Sequence, residues 1–338
     1  MPTPQTNTTL SEIAERLSAL DDFVICGHVN PDGDCLGSQL ALCHALRALG
    51  KNAHCVLAKP DPIEQNLLFL PGVEEMVAGC DYHGPSSVFV AVDVPTVERI
   101  GTAAPLQAAA SVRFTIDHHA ADVPMADYNY VDADSPSASM LVWQVCKYLG
   151  AVTPEVAQCA LTGLVTDTGR FSYQNTNAQA FSCAAEMMEA GADPVQINRE
   201  FFQNRSLASM ELESIVLERM KFECDGAFVY SYLDQADFEA CNAIKADAEA
   251  LIDTLRCIHG VRVALILKQT VAGEVRGSLR AKDENTDVAS VARVFDGGGH
   301  KAAAGLTFKG ALSEALRAVP AEVLKQCFGA KGKEVLDG

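Results

Sequence analysis

The sequence predicts an α/β protein with a doubly wound parallel sheet in its N-terminal part and a smaller α/β domain near its C-terminus. In the N-terminal half, short apolar runs alternate with helical stretches, which is the pattern of βαβ units. Several of these runs end in Asp or His, side chains that parallel strands would bring to one edge of the sheet. From about residue 194 the pattern is helical, and a second set of strands follows.

The N-terminal elements are predicted from periodicity and from start and stop signals. A capping box at Thr9-x-x-Glu12 opens an amphipathic helix, and the apolar run from Phe23 to Gly27 predicts the first strand. Further strands are expected at 53–57, 87–93, 112–117 and 128–131, with helices at 38–49, 138–149, 156–165 and 177–190.

The predicted domain organisation separates two sheets by a helical connection. We expect a catalytic domain at 1–192, a helical linker at 193–221, a smaller domain at 222–330 and a polar tail at 331–338. In the smaller domain the patterns predict strands at 226–232, 260–268, 274–281 and 304–308, and helices at 235–241, 247–256, 288–295 and 311–325.

Composition excludes several classes of protein. The formal net charge of −18 argues against coating long nucleic acid, which requires a basic surface. No apolar stretch is long enough for a membrane span and the N-terminus lacks signal-peptide features, so we expect a cytoplasmic protein that makes no membrane contact. None of the 12 cysteines forms a C-x-x-C pair, so we interpret most of them as buried free thiols.

Polar side chains of the metal-binding type follow the predicted strands of the first domain. A parallel sheet would bring them together at one edge, where unpaired carboxylates would repel one another by several kcal/mol. Carboxylate and imidazole ligands suit Mn²⁺, Mg²⁺ or Zn²⁺, and two divalent cations would resolve the repulsion. The residues are His28, Asp32, Asp34, Asp93, Asp117, His118, His119 and Asp167.

Two cations about 3.5–4 Å apart indicate a hydrolase acting on a phosphate ester or anhydride. In such a site a water between the cations becomes acidic enough to attack phosphorus, and the cations offset the charge that develops on the phosphoryl oxygens.

The second domain contains a candidate ligand-binding region around a run of three glycines. Glycines allow close backbone approach, and their N–H groups can bind a phosphate or carboxylate. Nearby basic and polar side chains add donors, so the predicted substrate-binding residues are Arg276, Ser278, Arg280, Gly297, Gly298, Gly299, His300 and Lys301.

Five segments together resemble the motifs of one family. HVNPDGDCLGS at 28–38, AVD at 91–93, DHH at 117–119 and LVTDTGRF at 164–171 are similar to the signature motifs of the DHH phosphoesterases. GGGHKAAAG at 297–305 resembles the hallmark of the DHH-associated C-terminal domain. Length and domain order resemble the NrnA-like branch, the oligoribonuclease/pAp phosphatases.

The resemblance implies two cation positions, with Mn²⁺ as the preferred ion. Asp93 would bridge the two cations. One cation would be held by His28, Asp32 and Asp93, and the other by Asp34, His118, Asp167 and the shared Asp93.

The resemblance also implies roles for residues that do not bind the cations. Asp117 would orient a histidine, His119 would face the substrate phosphate as a donor or proton source, and Arg99 falls where the family often has a substrate-binding arginine. Two departures from the family pattern, Asp296 in place of a glycine and Ala281 in place of a serine, affect the expected substrate more than the reaction.

The expected activity is hydrolysis of very short RNA to mononucleotides, with removal of the 3′-phosphate of pAp as a second reaction. The alternatives are a phosphodiesterase for cyclic or linear signalling dinucleotides, a pyro- or polyphosphatase, and a nucleotide-binding protein without catalysis. The sequence leaves open whether the chain forms a homodimer.

Overall fold

The computed structural model describes residues 3, 5–119, 123–283 and 285–329. It divides into two compact units, Met1–Asn204 and Arg205–Gly338, and each is built around its own sheet. The predicted fold class is confirmed. The tail expected at 331–338 lies outside the described residues. Among the described helices, none combines the length and apolar character needed to cross a membrane.

The first unit contains a six-stranded sheet in the order β3-β2-β1-β4-β5-β6, with every pairing parallel. The strand order changes direction between β1 and β4, and both strands are buried along their whole length, as expected for a sheet covered on both faces. The strands are β1 (Phe23–Cys26), β2 (Ala53–Leu57), β3 (Val77–Ala78), β4 (Val88–Val92), β5 (Val112–Asp117) and β6 (Tyr128–Val131).

Within the described residues, seven α-helices and four short 3₁₀ helices accompany this sheet. The α-helices are α1 (Leu10–Ala19), α2 (Gly33–Ala48), α3 (Ala104–Ala109), α4 (Ala138–Tyr148), α5 (Pro154–Asp167), α6 (Ala178–Glu189) and α7 (Pro194–Phe202). The 3₁₀ helices are Gln65–Leu67, Val73–Glu75, Gly79–Asp81 and Val97–Ala103.

Helix α2 begins five residues earlier than the predicted start at Ser38. Asp32 is its N-cap, and the Asp32 Oδ1 atom accepts hydrogen bonds from the backbone N–H groups of Asp34 (3.1 Å) and Cys35 (3.0 Å). Asp34 and Cys35 therefore lie in the first helical turn rather than in a loop.

The second unit contains a mixed six-stranded sheet in the order β11-β12-β10-β9-β8-β7. Strands β8 and β9 are parallel, and the other pairs are antiparallel. Its strands are β7 (Lys221–Glu223), β8 (Phe228–Leu233), β9 (Val263–Val271), β10 (Glu274–Ala281), β11 (Gly298–His300) and β12 (Ala303–Lys309). Its helices are α8 (Leu207–Glu218), α9 (Gln235–Ala240), 3₁₀ Lys245–Ala248, α10 (Leu251–Arg256), α11 (Val288–Arg293) and α12 (Leu312–Phe328).

The two faces of the second sheet pack against different helices because side chains alternate along each strand. On β9, Leu265 joins a buried cluster with α11 and α12, whereas Ile266 joins another with α8 and α10. Within the glycine run, residues 298–300 form the short strand β11 against β12.

Candidate metal centre

The predicted ligand-type side chains of the first unit converge where the strand order changes direction. They come from the loops after β1 and β4, from the end of β5, from the first turn of α2 and from the last residue of α5. The residues brought together are His28, Asp32, Asp34, Asp93, Asp117, His118, His119 and Asp167.

Asp93 lies at the centre of this cluster. Its Oδ2 atom is 3.4 Å from His28 Nε2, and its Oδ1 atom is 3.3 Å from His118 Nε2 and 3.4 Å from His119 Nδ1. The residue is buried, and its backbone has a left-handed φ of 53°. Aspartate tolerates this conformation better than most residues, which explains how the chain can turn directly after β4.

A second group of ligands surrounds His118. Its Nε2 atom is 3.8 Å from Asp34 Oδ2 and 3.8 Å from Asp167 Oδ2, while its Nδ1 atom faces Ser135 O at 3.3 Å. Asp34 is fixed by backbone N–H groups at the start of α4, since Ala138 donates to Oδ2 (2.6 Å) and Ser139 to Oδ1 (2.9 Å). A helix N-terminus stabilises such a carboxylate.

Asp117 contacts both neighbouring histidines. Its Oδ1 atom accepts the backbone N–H groups of His118 (2.8 Å) and His119 (3.1 Å), and it also lies 2.9 Å from His119 Nδ1. A carboxylate at this ring nitrogen fixes the orientation of the imidazole and favours its other nitrogen as the one that faces a ligand.

The pKa values in the cluster diverge because some carboxyl groups face imidazoles and others face carboxylates. Burial would raise the pKa of Asp93, but contacts with His118 and His28 bring it well below its usual range. Burial and the charge of Asp93 raise the pKa of Asp34 to about 7. Burial also raises the pKa of Asp167 well above its ordinary value. Burial opposes protonation of His28 and His118, but Asp93 and the other carboxylates raise the pKa of both rings.

We therefore expect the metal-free protein to lose thermal stability as the pH rises from the ordinary aspartate pKa of 3.8 towards the pKa of about 7 of Asp34. Across this window the unfolded chain has lost the proton that folded Asp34 retains, so increasing pH favours unfolding. The raised pKa values of His28 and His118 act in the same direction above 6.5. Thermal unfolding in the presence of a chelator, followed at several pH values, measures this effect. An unfolding midpoint that rises steadily over the same range would contradict it.

The donor set fits divalent cations. Three overlapping groups each place their ligand atoms within 4.8 Å of one another: His28, Cys35 and Asp93; Asp93, His118 and His119; and Asp34, His118 and Asp167. The buried Asp93 Oδ1 atom accepts no hydrogen bond, although ring nitrogens surround it. A buried carboxylate oxygen of this kind requires a positively charged partner, and a cation would provide one.

Five of the predicted substrate residues of the second unit share one face of its sheet: Arg276, Ser278, Arg280, Gly298 and His300. Directly opposed residues of antiparallel strands lie on the same face. Ala303 of β12 pairs with Arg280 of β10 on one side and with His300 of β11 on the other. In the adjacent row, Gly305 of β12 pairs with Ser278 of β10 and with Gly298 of β11. The structure therefore brings these side chains together, with Arg276 further along β10.

The remaining predicted residues occupy exposed positions or have structural roles. Arg99 is exposed, and its charge opposes protonation of His28. Lys301 is exposed in the turn after β11. Gly297 and Gly299 are sterically required, because a Cβ on Gly297 would lie 2.7 Å from Leu306 Cα and one on Gly299 2.5 Å from Ala303 O.

Sequence reasoning missed three contributors to the metal centre. The backbone N–H groups of Ala138 and Ser139 hold Asp34, and backbone groups carry no residue-type signal. The thiol of Cys35 joins His28 and Asp93, but the cysteine pattern gave no reason to consider a lone cysteine. Its position one residue after a motif aspartate was the available signal.

The fold and the site define an α/β protein with a candidate metal centre at the switch point of a parallel sheet. The chain belongs to the DHH family, so the predicted resemblance is confirmed. Residues 22–164 match the model of the DHH family N-terminal domain, and residues 225–326 match that of the DHHA1 domain.

Relatives match the chain over nearly its whole length. The bifunctional oligoribonuclease and PAP phosphatase NrnA of Thermus thermophilus is 30% identical over 311 residues, which is 91% of each chain. The Bacillus subtilis protein of the same name is 25% identical over 303 residues, covering 87% of this chain and 92% of that one. The crystal structure of an exopolyphosphatase-related protein from Bacteroides fragilis is 25% identical and has a TM-score of 0.84, with 96% and 98% of the two chains covered.

Proposed function

We propose that this protein is a metal-dependent phosphoesterase that hydrolyses short RNA oligonucleotides to mononucleotides and removes the 3′-phosphate of pAp. The observation that carries the reaction class is the buried Asp93 carboxylate, which lies within 3.4 Å of three imidazole rings. The substrate class is supported by the similarity to the Thermus thermophilus protein, whose name states both activities.

We assign the ligands to two cation positions that share Asp93. Asp32 is available as a ligand because its Oδ1 atom caps α2 while its Oδ2 atom points to within 3.9 Å of His28 Nε2. The first position would use His28, Asp32 and Asp93, and the second Asp34, His118, Asp167 and Asp93. Oxygen-rich sets of this kind suit Mn²⁺, the ion we propose. Bound cations would offset phosphoryl charge and acidify a water molecule.

His119 is the side chain that we propose contacts the substrate phosphate. Its side chain is 22% exposed whereas that of His118 is 7% exposed, so His119 is the ring of the pair that a substrate can reach. Asp117 holds His119 through Nδ1 at 2.9 Å, and in the imidazolium form Nε2 could donate to a phosphate oxygen or to a leaving group.

The exposed face of β10, β11 and β12 is the surface that we propose binds the nucleotide. Arg280 and Arg276 supply positive charge on this face. Gly298 and Gly305 leave open space on it because neither residue has a side chain. A local surface of this kind suits a substrate with few phosphates, for which a net charge of −18 is a small obstacle.

The proposal is tested by comparing substrates under one set of conditions. The purified protein is incubated with Mn²⁺ and, separately, with a 5′-labelled diribonucleotide, pAp, a cyclic dinucleotide and pyrophosphate. We expect turnover of the diribonucleotide and pAp. Predominant turnover of pyrophosphate or of the cyclic dinucleotide would show that the proposed substrate is wrong. If none of the four substrates were turned over, the proposal that the protein is an enzyme would be contradicted.

Replacing Arg280 with alanine is expected to raise KM for a diribonucleotide by about 10- to 100-fold, because a charged hydrogen bond contributes roughly 1.5–3 kcal/mol. Hydrolysis of a small generic phosphodiester, which lacks the nucleoside that we propose the second unit binds, should change little. Arg317→Ala serves as the control, since Arg317 is an exposed arginine on α12. Equal losses on both substrates would show that Arg280 does not act through substrate binding.

A further inference from the structure

Cys35 lies closer to the cation site than any motif assignment implies. Its side chain is buried in the first turn of α2, and its Sγ atom, a ring nitrogen of His28 and a carboxylate oxygen of Asp93 all lie within 4.8 Å of one another. In a tetrahedral zinc-type site, two ligands with bonds of about 2.3 and 2.0 Å lie about 3.5 Å apart. Side-chain movements of about 1 Å would therefore let all three atoms bind one cation.

Hydrogen bonds to the sulfur provide a second, independent observation. The Cys35 Sγ atom accepts the backbone N–H of His28 at 3.2 Å and the side-chain N–H of Gln39 at 3.4 Å. The Cys35 thiol also donates to the backbone carbonyl of His28 at 4.0 Å, whereas the buried thiols of Cys26 and Cys146 donate to backbone carbonyls outside the metal centre. The two donors hold the sulfur beside His28 and Asp93, the side chains with which it would share a cation.

The simpler interpretation is that Cys35 fills space beside Gly27, where a Cβ would collide with its Sγ atom. That interpretation explains the size of the side chain but not the two donors. It also gives no reason for the sulfur to lie beside His28 and Asp93, with which it would share a cation once the thiol has released its proton to water.

We propose that the first cation position has two alternative ligand sets in this protein. His28 and Asp93 bind in both sets, with Asp32 completing the set for a hard cation such as Mn²⁺ and Cys35 completing it for a soft cation such as Zn²⁺ or Cd²⁺. Soft cations therefore compete with Mn²⁺ for the same two side chains. This inference rests on the proposed metal-dependent function, but its test does not use hydrolysis.

The test uses Co²⁺ as a spectroscopic probe of metal-free protein. Cys80 and Cys257 are exposed and would bind cobalt nonspecifically, so all proteins carry Cys80→Ser and Cys257→Ser. We expect a sulfur-to-cobalt charge-transfer band that is lost in Cys35→Ser, retained in the matched control Cys26→Ser, and suppressed by excess Mn²⁺. A band of equal intensity with and without the Cys35 thiol would overturn the proposal.

Affinity measurements separate coordination from a packing role. Cys35→Ser and Cys35→Ala should weaken Cd²⁺ binding by about 10- to 100-fold, the range for perturbed metal sites, and change Mn²⁺ binding much less. Parallel losses for both cations would mean that Cys35 supports the structure only. Circular dichroism shows whether each of the two variants folds. If one does not fold, the conclusion about Cys35 is drawn from the other variant. A cobalt–sulfur band in a protein that hydrolyses no nucleotide would refute the proposed function and leave this inference standing.

Discussion

Asp93→Asn should reduce Mn²⁺-dependent hydrolysis of a diribonucleotide by roughly 1,000-fold or more. Asp93 is the carboxylate assigned to both cations, and cation stabilisation of the transition state amounts to several kcal/mol at about 1.4 kcal/mol per factor of ten. Asparagine tolerates the left-handed backbone of position 93, so the variant removes charge without forcing the chain to refold. Initial rates at saturating Mn²⁺ measure the effect.

The matched control for this prediction is Asp61→Asn, which removes an exposed carboxylate remote in sequence from every motif. That variant should keep full activity. If Asp93→Asn also retained most of its activity while remaining folded, the assignment of a shared carboxylate would be wrong.

Gly163→Ala should lower kcat by about 100-fold, because a displacement of about 1 Å at a catalytic site has that order of effect. Gly163 lies on α5 beneath the metal centre, and a Cβ there would lie 2.6 Å from Asp34 Oδ1 and 2.6 Å from Ser139 Cβ. Asp34 must move to make room, and it would then lose its hydrogen bonds from α4. Overpacking of this kind also costs about 1–3 kcal/mol of stability, so the unfolding midpoint should fall.

Gly305→Ala is the stability control for this variant. The same methyl group at position 305 has no neighbour closer than 3.9 Å, so the unfolding midpoint should stay unchanged. Normal Mn²⁺ affinity and normal kcat in Gly163→Ala would show that α5 adjusts without displacing Asp34.

Residue patterns predicted five of the six strands of the first sheet and the set of ligand-type side chains that converge at its edge. Apolar runs ending in Asp or His predict parallel strands whose ends meet, and the side chains after β1, β4 and β5 do meet. The short strands β3 and β7 were missed, since two or three residues cannot display a period. The start of α2 was missed because Asp32 was interpreted as a ligand alone, whereas its two oxygens have different partners.

The substrate surface was predicted as a set of residues but not as an arrangement. Glycines predict flexibility, and nothing local indicates that residues 298–300 pair with β12. Register depends on the whole sheet, so the alignment of Arg280 with His300 across β12 could only come from the folded structure. Long-range pairing is the information that local patterns lack.

The left-handed backbone at Asp93 limits how the metal preference of this protein can be redesigned. Glutamate or cysteine at position 93 would incur a conformational penalty before binding any cation, since few side chains other than Asp, Asn, His and Gly adopt that conformation readily. Positions 32 and 35 have no such constraint, because one is an extended N-cap and the other is helical. Selection for a new cation would therefore act on the start of α2 and keep the central carboxylate fixed.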